Sequence, residues 1–218
     1  MSTPDIQDIQ TSTGYVKLES ITPDTQHIIA KCARVSNPNN QENRLTEQRL
    51  IKYLAQHKHW SPFEMANMCL EIRTTRAISA QILRHRSFSF QEMSQRYAAQ
   101  AEYVIPHFRL QDHANRQNSL DQLEELKQAE FQIKAHQVMK QAFELYEELI
   151  AAGVAKESAR AVLPLNTVTV VYMSGTVRSW IHYIQVRADP DTQKEHREIA
   201  EAARSILLEN IPILSELL

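Results

Sequence analysis

The sequence predicts an α+β fold: a single domain over residues 1–218 in which a small, mainly antiparallel sheet is packed by several helices, one of them long. Three observations predict it. Segments with helical apolar spacing outnumber segments that alternate like strands. The strands do not recur between helices with the regularity of βαβ units. A chain of 218 residues is also long enough for one sizeable core without requiring a second.

Residues 1–13 are polar, lack an apolar signal core and are expected to form a flexible N-terminal segment. A strand is expected at Tyr15–Ser20. Pro23-Asp24 then opens a helix with Ile28, Ile29, Cys32, Ala33 and Val35 on its buried side. Asn37–Asn40 reads as a turn. Leu45, Leu50, Ile51 and Leu54 mark a second helix, ended by His57–Pro62. Met68, Leu70 and Ile72 alternate with polar neighbours as in a half-buried strand. Thr74 or Thr75 caps a helix with Ile78, Ile82 and Leu83, which runs on into an arginine cluster. Ser87–Arg96 reads as a structured loop and Val104–Asn118 as a long polar connection. Ser119 is the expected cap of a long helix from about Leu120 to Gly153, its stop. A short helix covers Val154–Val162. Thr167–Tyr172 is the strongest candidate for a buried central strand. Ser174 is expected to cap a helix over Val177–Arg187, and a last helix starts near Thr192 with Ile199, Ala202, Ile206 and Leu207 inward.

Composition narrows the function. The net charge of −2 exerts no global pull toward nucleic acid, so any basic site must be local. Two cysteines, Cys32 and Cys69, allow at most one disulfide and no metal framework. No apolar run is long enough for a bilayer, and a reducing cytoplasmic setting is expected. Three isolated glycines cannot form a G-x-G-x-x-G or a P-loop. A nucleotide here would need arginines, hydroxyls and helix N-termini for its phosphates.

Arg84–Tyr97 supplies such groups, with three arginines, one histidine, one carboxylate and three serines in fourteen residues. Arg84 and Arg86 offer planar forks for phosphate, and helical spacing would align Gln81, Arg84 and His85. Gln81 can donate and accept, which suits a pyrimidine imide edge. Glu92 is the carboxylate of the cluster, expected to be kept ionised by the nearby arginines. Such charges often form only a solvated face. Phe88, Phe90 and Met93 argue that this one is carried inward.

Ser94 lacks a neighbouring base in sequence and reads as a ligand before a nucleophile. Cys32 and Cys69 read as buried structural thiols. His57, Lys58, His59 and His85 lack a fourth ligand at zinc-like spacing. In His59–Glu64, Trp60 and Phe63 are assigned to the core, leaving His59 and Glu64 for function. Arg178, His182 and Gln185 share one helix face with Arg187 at its end, opposite Trp180, Ile181 and Ile184. With Arg160 they suggest one anion pocket built from distant segments.

Four segments carry a resemblance to the flavin-dependent thymidylate synthases: A-R-V-S at Ala33–Ser36, H-W-S-P-F-E at His59–Glu64, Q-x-x-R-H-R-x-x-S-x-x-x-x-S-x-R-Y at Gln81–Tyr97, and A-R-x-V-L-P-L from Ala159, continuing through Arg178, His182 and V-R-A-D at Val186–Asp189. The resemblance implies a homotetrameric α+β enzyme with active sites where subunits meet, and FAD held without a dinucleotide fingerprint. It implies FAD contacts at Ser36, Ser61, Glu64, Arg84, His85, Arg86, Gln91, Arg178 and His182. It implies dUMP contacts at Gln81, Arg84, Glu92, Met93, Ser94, Gln95, Arg96, Arg160 and Arg187. His59 and Tyr97 fall on the folate side, and Arg187 and Ser94 are the catalytic candidates. The chain departs from many members at Gln91 and Thr176, where they carry Asn.

The expected reaction is reductive methylation of dUMP to dTMP, with methylenetetrahydrofolate giving the carbon, NADPH reducing FAD, and no cysteine nucleophile. Neither metal, membrane nor nucleic-acid partner is expected. The rival readings are a nucleic-acid binder using the arginines on phosphates and a flavoprotein that only oxidises NADPH.

Overall fold

The computed structural model describes residues 8–97 and 102–218. Five strands form one antiparallel sheet in the order β1 (Ile9–Thr11), β2 (Gly14–Ile21), β3 (Asn67–Thr75), β7 (Val168–Thr176), β4 (Ser89–Glu92). The expected α+β class is thus the observed one. Residues 9–11 of the expected flexible segment are strand β1, and residues 1–7 lie outside the described residues.

Alternation in β3 explains the sheet. Met68, Leu70 and Ile72 are fully buried, while Cys69, Glu71 and Arg73 take the other face. In β7, Val171 and Met173 join the buried face and Tyr172 stays exposed. Val168–Tyr172 therefore lies in an interior strand, buried on both faces at Val168 and Thr169 and open on one face only by Tyr172. On the polar face Glu71 accepts from the hydroxyls of Tyr15 (2.7 Å) and Tyr172, one on each neighbouring strand.

Helices α1 (Thr25–Ala33), α2 (Glu47–Gln56), α6 (Val177–Arg187) and α7 (Lys194–Asn210) close the apolar face. Ile199, Ala202, Ile206 and Leu207 of α7 all point inward. Each fully buried Leu or Ile contributes roughly 1.5–3 kcal/mol, so this face dominates stability. Two sequence expectations fail near it. Val35 and Leu45 lie outside the two helices and are exposed, whereas Arg34 is buried. The reason is polar: Arg34 Nη2 donates to Thr46 Oγ1 at 2.8 Å and Nη1 to the Asn43 carbonyl, pinning the turn before α2.

Helix α3 (Arg76–Ile82) ends before the arginines rather than carrying them. Tight bonds, Arg84 N–H to Gln81 and His85 N–H to Ile82, close its last turn. Gln81, Arg84 and His85 therefore do not share a helical face. Leu83, expected inward, is partly exposed.

Beyond the turn, Ser89–Glu92 is strand β4, not loop, in register with Val171–Ser174 of β7. The Ser-Phe-Ser-Phe alternation is that of a strand, and β7 supplies the edge it pairs with.

The long polar connection contains β5 (Leu110–Gln111), paired with β6 (Ser119–Leu120). Ser119 is therefore in a strand, where its Oγ accepts from Arg109 Nε at 2.8 Å, instead of capping a helix. Helix α4 starts later, spanning Glu125–Ala151, and Gly153 ends it at φ +81°. Only Met139, Phe143 and Tyr146 of α4 are buried, while Leu126, Ile133 and Val138 are 78%, 61% and 64% exposed. Helix α5 (Lys156–Ala159) runs into a 3-10 turn at Arg160–Val162. No helix among the described residues is long and apolar enough to cross a membrane.

Candidate active site

The site begins where β7 becomes α6. Thr176 stands at the helix N-cap, where its Oγ1 accepts from the Ser179 N–H at 3.2 Å. Ser174 lies within the strand and is not the cap. Glycine stands at 175, just before Thr176, because a Cβ there would lie 2.4 Å from Phe88 Cδ1. Phe88 also packs edge-on against Trp180 at 4.8 Å and Tyr183 at 5.9 Å. That apolar anchor pulls the loop inward, as its aromatic residues predict, and leaves Arg84, Arg86 and Ser87 exposed at its tip.

Next to this tip lies a cavity of about 450 Å³, lined by Trp60, Glu64, Ser87, Arg178, His182 and Gln185 among others. Arg178, His182 and Gln185 reach it from one face of α6, as their spacing predicts. Glu64 comes from the 3-10 turn Ser61–Met65 and pairs with Arg178. Phe63 is fully buried and Trp60 partly so, which holds Ser61 and Glu64 outward.

A second group forms at the end of α6. Arg187 Nε donates to His85 Nε2 at 2.9 Å, and His85 stacks edge-on against Tyr183 at 4.9 Å. Burial, reinforced by the Arg187 cation, pushes the His85 imidazole down to about 4. His85 is thus a neutral acceptor that orients Arg187.

A third group surrounds Glu92. Its Oε1 accepts from Ser79 Oγ at 2.7 Å and Thr169 Oγ1 at 3.0 Å, and lies 3.0 Å from Arg76 Nη1. Arg76 Nη2 also donates to the Met93 carbonyl at 2.6 Å. The cation on Glu92 is therefore Arg76, from the first turn of α3, rather than the arginines of its own segment. Sequence reasoning missed Arg76, Ser79 and Thr169 because only strand pairing brings them to Glu92.

The remaining candidates are spread. Arg96 pairs with Glu157 of α5 at 3.2 Å, next to the exposed Arg160. Lys156 Nζ donates to the Tyr97 carbonyl at 2.9 Å, and the Tyr97 side chain is exposed. Ser94 Oγ accepts from the Arg96 N–H at 3.3 Å, while Gln91 and His59 are exposed and Gln95 is half-buried. Ser36 lines a separate cavity with Arg34, Arg49 and Tyr53. Arg160, Arg178 and Arg187 accordingly fall into three groups rather than one pocket within the chain. Cys32 and Cys69 are free thiols, half-buried rather than buried, and burial raises the Cys69 pKa.

The profile of the thymidylate synthase complementing protein family matches residues 17–213, taking in every one of these groups. The chain belongs to the flavin-dependent thymidylate synthase family. Members similar to it include a flavin-dependent thymidylate synthase of Synechocystis sp., 52% identical over 197 residues and 90% of each chain. A probable flavin-dependent thymidylate synthase of Paramecium bursaria Chlorella virus 1 is 50% identical over 88% of this chain and 90% of its own. That of Thermus thermophilus is 33% identical over 92% of this chain and 73% of its own. Family membership makes the chain a thymidylate synthase-type methyltransferase, and the flavin in the family name directs attention to the cavity beside Arg178.

The donor set there suits a flavin dinucleotide in kind. It has one guanidinium, that of Arg178, for pyrophosphate, an aromatic wall at Trp60, and amide and imidazole groups at Gln185 and His182. Its volume suits part of such a molecule. The exposed Arg84 and Arg86, and Ser36 in the separate cavity, are further contacts the rest would need.

Proposed function

We propose that the chain converts dUMP to dTMP, with methylenetetrahydrofolate as carbon donor and FAD, reduced by NADPH, as hydride source. The observation that carries this reading is the identity of 50–52% over about nine-tenths of both chains to relatives named for this activity. FAD, when bound, supplies the redox chemistry. Ser36, Ser61, Glu64, Arg84, His85, Arg86, Gln91, Arg178 and His182 would hold it. Thr176, already spent on its cap, is free of that duty.

The nucleotide lies, in this reading, against Gln81, Arg84 and Glu92–Arg96, with Arg160 and Arg187 closing on it. Glu92 Oε1 takes all three bonds from Arg76, Ser79 and Thr169, which fixes the carboxylate and leaves Oε2 to accept from the nucleotide. The backbone of Met93 and Gln95, with Ser94 Oγ and Arg96, offers further polar contacts along the same segment. Arg187 is oriented through Nε, so its two terminal amino groups can face the uracil ring. There they stabilise the negative charge that develops as C5 becomes nucleophilic. Cys69 does not serve as nucleophile, because its raised pKa keeps it a thiol. Ser94 acts as a ligand: His85 Nε2, the acceptor that could activate it, is taken by Arg187.

His59 and Tyr97, both exposed, are assigned to the folate side. The exposed apolar residues of α4 support the homotetramer, in which a neighbouring chain would bring separated groups into one site. Free thiols accord with a cytoplasmic setting. The test is colour. Purified protein given FAD should turn yellow and bleach anaerobically with NADPH. Protein that stays colourless with excess FAD, or binds RNA or DNA with steep salt dependence instead, contradicts the reading.

A further inference from the structure

His196 is completely buried in α7, has no place in the chemistry above, and touches the site from behind. Its Nδ1 lies 3.3 Å from Gln81 Oε1 and its Nε2 lies 3.1 Å from the Tyr183 hydroxyl. Gln81 continues the chain outward. Its Nε2 donates to Gln193 Oε1 at 2.7 Å, and Gln193 Nε2 donates to Glu195 Oε2 at 2.9 Å. Glu195 is gripped by Arg109, whose Nη1 and Nη2 donate to its two oxygens at 2.7 and 2.9 Å.

The polarity of this chain is forced from its charged end. An ionised carboxylate only accepts, so Gln193 must turn its NH₂ to Glu195 and its oxygen to Gln81. Gln81 must then turn its NH₂ to Gln193 and its oxygen to His196. His196 therefore carries its proton on Nδ1, and Nε2 accepts from Tyr183. Burial, then the Arg187 cation, holds the imidazole neutral, which this tautomer requires. A glutamine amide can read a pyrimidine edge in either orientation; here one orientation is imposed. An amide oxygen and N–H in fixed order match the N3–H and carbonyl of uracil. The flipped amide would match the N3 acceptor and amino group of cytosine.

We propose that His196, acting with Gln193 and Glu195, is a positioning group that fixes the Gln81 amide and thereby selects a uracil over a cytosine nucleotide. The proposal rests on the reading of Gln81 as a nucleotide contact. Asparagine places an amide where Nδ1 stands, and glutamine places one where Nε2 stands. His196→Asn therefore keeps the donor to Gln81, and His196→Gln loses it.

The experiment measures dUMP and dCMP affinity by equilibrium dialysis on FAD-loaded protein. His196→Asn is expected to stay within about threefold of wild type. His196→Gln should weaken dUMP about tenfold, the order of one lost hydrogen bond to a buried group, and leave dCMP no weaker, since a freed amide can turn to match cytosine. In a Gln81→Ala background His196→Gln should have no further effect. Gln193→Met, at an exposed position, should give the same narrowing if the buried variants fail to fold. Equal effects of the Asn and Gln variants, parallel weakening of both nucleotides, or a persisting effect without Gln81 would overturn the proposal. If Gln81→Ala itself leaves dUMP binding intact, the nucleotide role of Gln81 falls first and the proposal falls with it.

Discussion

Arg187 is the residue proposed to stabilise the charge developing on the uracil ring, and its setting explains how such a side chain is held ready. A neutral imidazole accepts from its Nε, so orientation is gained without neutralising the charge. Arg187→Ala is expected to lower turnover about 10²–10³-fold, the usual scale for removing a group that stabilises developing charge. FAD retention, read from flavin absorbance, should be unaffected. Full turnover with unchanged dUMP affinity would remove Arg187 from this role. The two depressed histidines make a second prediction. The unfolded chain takes up protons near pH 6.5, whereas His85 and His196 resist until about 4 and about 3. Their contribution to stability is complete above about pH 6.5 and shrinks as pH falls, by at most ~1.4 kcal/mol per unit for each group. Half-exposed His85 contributes less than that limit. Thermal melts from pH 7.5 to 5 should show a shallower acid limb for His196→Gln than for wild type. Parallel limbs would contradict the assignment.

Elements convert these residues into a site, and the junction of β7 with α6 is the most exacting. Gly175→Ala would drive a methyl into the Phe88 ring, costing about 1–3 kcal/mol as an overpacked contact. Because Phe88 anchors the Arg84–Ser87 tip, FAD should also be held more weakly. Urea midpoints and flavin retention check both, and an unchanged midpoint would show that the ring moves freely. The same junction shows what can be read from sequence. The bounds Val177–Arg187 of α6, its basic face and the buried rows of β3 and α7 follow from periodicity alone. So does the inward pull of Phe88. Strand β4 was hidden because Ser89–Glu92 is short and becomes a strand only beside β7. Ser119 looked like a helix cap because caps are local signals, yet its partner Arg109 arrives through a hairpin. Arg76, Gln193, Glu195 and His196 were missed for a related reason: each acts through a long-range hydrogen bond that no spacing encodes.

At the scale of the whole molecule, one chain holds the pieces of the site in separate groups while a long helix stands partly bare. Leu126, Ile133 and Val138 on α4 expose apolar surface that the chain's own core does not cover. Ile133→Glu combined with Val138→Glu should shift the proposed tetramer to smaller species in light scattering and lower flavin occupancy. A double variant of the same size as the wild type would exclude these residues as an assembly contact. The central claim concerns the reaction itself, in which the hydrogen at uracil C5 is exchanged for a carbon from folate. The most direct measurement is tritium release from dUMP labelled at C5, in the presence of FAD. Release with accompanying dTMP, dependent on both NADPH and methylenetetrahydrofolate, is the predicted result. A yellow protein that consumes NADPH but releases no tritium under these conditions would be an oxidase, and would contradict the account.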